Sequence, residues 1–69
     1  ADGLARQEEA YYETIVRAQR SREVPPEHDA RALARFLTTN ANGLQLMANA
    51  TSDRMALYDV ARVALACLD

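Results

Sequence analysis

Apolar residues recur at helical spacing in three stretches of this chain, and two clusters of helix-breaking residues separate them. At about 100° per residue, Leu4, Tyr11, Ile15 and Ala18 fall on one side of the first stretch, and Tyr12 and Val16 widen that stripe. Arg6, Glu9, Glu13, Arg17 and Arg20 fall opposite, with Glu13 and Arg17 in the favourable i, i+4 order. The pattern predicts an amphipathic helix over residues 2–20 with a solvated, mixed-charge back. Val24-Pro25-Pro26-Glu27 closes it, because proline lacks the N–H and clashes with a preceding helical turn.

The second stretch predicts a helix over residues 30–49, with Asp29 as its N-cap. Leu33, Phe36, Leu37, Ala41, Leu44, Met47 and Ala48 form an ordinary core stripe. A second stripe holds Ala32, Thr39, Gly43, Leu46 and Ala50, most of them small. Glycine inside a helix costs about 1 kcal/mol relative to alanine, and close approach of another helix is the natural reason to keep Gly43. The remainder, with Arg31, Arg35, Thr38, Asn42, Gln45 and Asn49, is a narrow polar strip expected to face solvent.

Thr51-Ser52-Asp53 favours caps over helix interiors and breaks the pattern again. Asp53, with Ser52 as the alternative, caps a third helix over residues 54–68. There Leu57, Ala61, Ala64 and Leu68 make one stripe, and Ala56, Val60, Val63 and Cys67 make a neighbouring one. With Leu65 and Tyr58 the apolar surface covers more than half the girth, so the helix should be buried on more than one side. The expected fold is therefore all-α, three helices, with the last two forming an intersubunit four-helix bundle in a homodimer.

Composition sharpens this picture. With 69 residues the chain is a single helical segment, and a unit this small buries only about 60% of its unfolded surface. One Cys and one His exclude an internal disulfide and a zinc site of the usual ligands, which leaves association as the remaining staple. The net charge of −2, with arginines interspersed among acids, does not make a nucleic-acid surface. No apolar run approaches the ~20 residues of a membrane span. A lone Cys and no export signal point to the cytoplasm. The chain opens on Ala1, which is expected if it is part of a longer protein. No Ser/His/Asp set, Cys–His pair, phosphate loop or metal motif is present, and no catalytic residue, metal or cofactor is expected.

The stretch Val24-Pro25-Pro26-Glu27-His28-Asp29 followed by Ala32-Leu33-Ala34-Arg35-Phe36-Leu37 resembles the opening of the last third of TetR-family transcription regulators. Asn42-Gly43-Leu44-Gln45, Ala48-Asn49-Ala50, Asp53-Arg54 and Val60-Ala61-Arg62-Val63-Ala64-Leu65 continue the likeness, which spans residues 21–68. Thr51 departs from it, standing where a Gly often ends the penultimate helix, and Asn40 and Asn42 are more polar than is usual there. The resemblance implies a bacterial regulator, a repressor, whose last two helices pair across a two-fold axis. It further implies a small-molecule effector, and DNA binding carried by an N-terminal helix-turn-helix domain absent from this sequence. A free-standing helical protein–protein interaction module is the alternative.

Two sets of candidate residues follow. The dimer interface is expected at Ala32, Thr39, Gly43, Leu46, Ala50, Ala56, Val60, Val63 and Cys67. The effector site is expected at Glu8, Tyr11, Tyr12, Phe36, Asn40 and Met47, where apolar walls meet a few polar groups. Each has a plainer reading. Glu8 can be a wet carboxylate at a loose edge, Asn40 an amide bonded to a neighbouring backbone, and the aromatics and Met47 simple core. Cys67 reads as a small buried hydrophobe or, near a two-fold axis, an intersubunit disulfide, and His28 as an exposed loop histidine.

Overall fold

The computed structural model describes residues 2–69, and these form three helices: α1 (Asp2–Arg20), α2 (Ala30–Ala50) and α3 (Arg54–Ala66). No strand occurs among the described residues. Both expected caps form. The Asp29 carboxylate accepts from the N–H groups of Arg31 and Ala32, each at 3.1 Å, and that of Asp53 accepts from Ala56 N–H at 3.1 Å. Each satisfies donors that the first helical turn cannot pair. Two ends differ from expectation. α2 runs on to Ala50, and α3 stops at Ala66, where Cys67 and Leu68 turn back to the carbonyls of Ala64 and Leu65 at 3.2 and 3.1 Å. That i→i−3 spacing is the tightened last turn common at helix ends.

The end of α1 is a Schellman motif built without glycine. Glu23 N–H reaches Ala18 O at 2.8 Å, Arg22 N–H reaches Gln19 O at 3.2 Å, and Arg22 takes a left-handed φ of 64°. The motif swings the chain back so that Val24 is buried against the helix it has just left. Gln19 then fastens the proline turn, its amide donating to the carbonyls of Pro25 at 3.2 Å and His28 at 2.9 Å. His28 is half-buried here, and its Nε2 is shielded and unpaired among the described residues. The expected exposed loop histidine is thus corrected, because the turn folds onto α1 instead of standing off it.

α2 is central: α1 and α3 each pack on it, and not along one another. The result is broad and thin, 38 × 28 × 14 Å. The core is correspondingly small. Ile15, Val24 and Ala34 are buried together, with Tyr11, Ala18, Leu33, Leu37 and Leu68 packed around them, and Ala64 is buried on α3. Ala34 is 0% exposed because a methyl group lets α1 approach α2 closely.

This contact corrects the expected faces of α2. Thr38, assigned above to a solvated strip, is buried, whereas Phe36 and Ala48 of the expected core stripe are exposed. The physical reason is local. Thr38 donates its hydroxyl to Ala34 O at 2.8 Å, so its polar group is satisfied within its own helix and the residue packs as a small side chain. Asn42 donates to Thr38 O at 2.7 Å and to Gln7 of α1 at 2.9 Å. The part of the strip from Arg31 to Asn42 is therefore the seat of α1, while Gln45 and Asn49 stay exposed. No helix among the described residues is long and apolar enough to cross a membrane.

Candidate functional site: an uncovered seam and an apolar cleft

With α1 seated on Ala34 and Thr38, the stripe of Thr39, Gly43 and Leu46 lies about a third of a turn away on α2, since helical residues advance by roughly 100°. Nothing among the described residues covers it. Ala32, Thr39, Gly43, Leu46 and Ala50 are all exposed, Leu46 to 72%. A Cβ added at Gly43 would meet open space. On α3, Ala56 and Val60 are half-buried, while Val63 and Cys67 are exposed, Val63 to 57%. Cys67 is thus no buried hydrophobe within one chain, because the turn after Ala66 carries it away from α2.

The six residues expected to hold an effector do not come together. Glu8 sits at the edge of the α1–α2 contact, bonded to Arg31 at 3.1 Å and to Arg35 at 3.5 Å. It lines a shallow depression with Leu4, Arg35, Thr38, Thr39 and Asn42, and is neither a polar group among aromatics nor a loose edge. Arg31 also bonds Glu9 at 3.2 Å and lies over the Tyr12 ring, 3.9 Å from its centroid. The hydrogen bond to Glu9 lifts the Arg31 pKa above its ordinary value, partial desolvation opposing and Glu8 adding to it. The expectation that the polar strip of α2 faces solvent is corrected at Arg31 too, which bridges two helices. Phe36 is exposed and Met47 half-buried, both outside the cleft described next.

Tyr11 and Asn40 line one cleft. Because α1 and α3 diverge across α2, a cleft of about 420 Å³ opens between the three helices. Its walls are Tyr11, Ile15 and Ala18 from α1, Leu37, Asn40, Ala41 and Leu44 from α2, and Ala61, Ala64 and Leu65 from α3, with Val24 and Leu68 closing it. The sequence could not show this cleft, because a stripe pattern gives the face a residue occupies and not the angle between helices. No group of His, Cys, Asp and Glu suited to a metal occurs among the described residues. No family model, no curated protein and no solved structure matches the chain.

Proposed function

We propose that this chain is the dimerisation and small-molecule-sensing segment of a TetR-like transcription regulator, a repressor. The observation that carries the reading is the ratio of uncovered to buried apolar surface. On the seam itself Leu46, Val63 and Cys67 are exposed, while the apolar side chains buried among the described residues are Ile15, Val24, Ala34 and Ala64. A core of this size rarely sustains a fold alone, and exposed apolar residues at helical spacing on two helices are what a partner would cover. A second copy, presenting the Thr39–Gly43–Leu46 and Val60–Val63–Cys67 stripes to their symmetry mates, would cover both helices at once.

The resemblance supplies the rest. Two such segments would hold two upstream helix-turn-helix heads at a fixed separation, and an effector bound against α1 and α2 would change it. The heads alone would touch DNA; this segment has no basic stripe for phosphate.

Sedimentation velocity on the parent and on Thr39→Glu, Gly43→Leu and Val60→Glu variants tests the dimer. The parent should sediment as a dimer and the variants as monomers. Variants as dimeric as the parent would remove the seam, and the regulator reading with it.

A further inference from the structure

The cleft between α1, α2 and α3 carries information about what it would hold. What sets it apart from the other depressions on the molecule is its lining and not its volume of about 420 Å³. None of its lining side chains is charged. The arginines and carboxylates of α1 and α2 that pair with each other, Glu8, Glu9, Arg31 and Arg35, all lie outside it.

The polar groups that remain are few. Thr14 has its hydroxyl engaged, donating to Ala10 O at 2.9 Å and accepting from Arg17 at 3.4 Å. Asn42, two positions along α2, is satisfied by Gln7 and Thr38 O. Asn40, half-buried in the cleft wall, makes no side-chain hydrogen bond among the described residues, and Tyr11 lines the same wall. An amide among apolar walls can donate through its NH2 or accept through its carbonyl oxygen, and so can hold a single polar group of either kind. No counter-charge is present to receive an ion, and an unpaired ion is penalised strongly in such surroundings.

We propose that the cleft binds a neutral, largely apolar small molecule, and that Asn40 orients it through one carbonyl, hydroxyl or amide group. This rests on the sensing half of the function proposed above and narrows it to a chemical class.

Fluorescence titration with two dyes of one ring skeleton tests it: N-phenyl-1-naphthylamine, which is neutral, and 8-anilino-1-naphthalenesulfonate, which is anionic. The neutral dye should bind saturably, one per chain, and at least about tenfold more tightly than the sulfonate, as the charge penalty demands. Ala41→Phe and Ala61→Phe, which fill the cleft from two helices, should abolish binding while circular dichroism reports unchanged helicity. Asn40→Ala should weaken it by up to about tenfold, the worth of one hydrogen bond. Met55→Gln, at an exposed methionine outside the cleft, should leave it unchanged.

Equal affinity for the two dyes, binding that survives both Phe variants, or loss at Met55→Gln would overturn the assignment. So would absence of saturable binding, the result expected if a helix of this or another chain fills the cleft. The outcome is independent of the dimer. A chain that sediments as a dimer and shows no dye selectivity loses the ligand class alone. A monomer that binds the neutral dye selectively loses the seam alone.

Discussion

Arg31 of α2 lies over the ring of Tyr12 on α1, its Cζ 3.9 Å from the centroid, while one of its terminal nitrogens bonds both Glu8 and Glu9. The guanidinium thus serves three α1 side chains from one position on α2. Single pairs of this exposure contribute little, since solvent screens them, but a guanidinium held over a ring and shared by two carboxylates loses less side-chain freedom per contact. Arg31→Ala is expected to lower the denaturation midpoint, because it removes a cation–π contact and a partly exposed ion pair together. Arg31→Lys should recover less than half of that, because an ammonium cannot stack and bridge together. Chemical denaturation of the three proteins at low and high salt reads both effects, and a salt-independent difference would assign the loss to packing alone.

Much of the fold was legible in the sequence because its signals are local. Pro25-Pro26 cannot continue a helix, and Asp29 and Asp53 cap the next two wherever the rest of the chain goes. The packing faces were less legible. Thr38 counts as polar in any pattern, yet its hydroxyl is spent on Ala34 O and the residue sits in the α1 contact. Phe36 counts as core and is exposed, since the surface it faces is not part of this chain's own packing. Of the candidate effector residues, Tyr11 and Asn40 share the cleft, whereas Glu8 and Tyr12 are engaged by Arg31. Which arginine would reach across from the next helix depends on the register between helices, and no stripe encodes that.

The left-handed Arg22 carries a second prediction. A residue with a Cβ at φ 64° is strained by roughly 1–2 kcal/mol, which glycine avoids. Arg22→Gly should therefore stabilise the chain by about 0.5–1 kcal/mol, less than the full strain because glycine also gains freedom when unfolded. For a domain of this size the melting temperature should rise by roughly 2–8 °C. A fall would mean that the Arg22 side chain contributes more than its backbone strain removes.

Gly43→Ala separates a covered helix from a bare one. Within a single chain the new methyl meets nothing, so helix propensity alone would stabilise α2 by about 1 kcal/mol. Against a closely approaching partner helix the same methyl would push the two backbones apart. The dimer account expects weaker association, read as a dissociation constant raised by about tenfold or more. Unfolding experiments at low and high protein concentration show which effect dominates, and stabilisation at every concentration would count against a close crossing at Gly43.

Isotope-filtered nuclear Overhauser spectra on a mixture of labelled and unlabelled chains test the seam most directly, because they report only contacts between copies. The methyl groups of Leu46, Val60 and Val63 should show intermolecular contacts, with the α-protons of Gly43 among their partners. A folded chain whose Leu46, Val60 and Val63 methyls show no contact with a second copy would contradict the account.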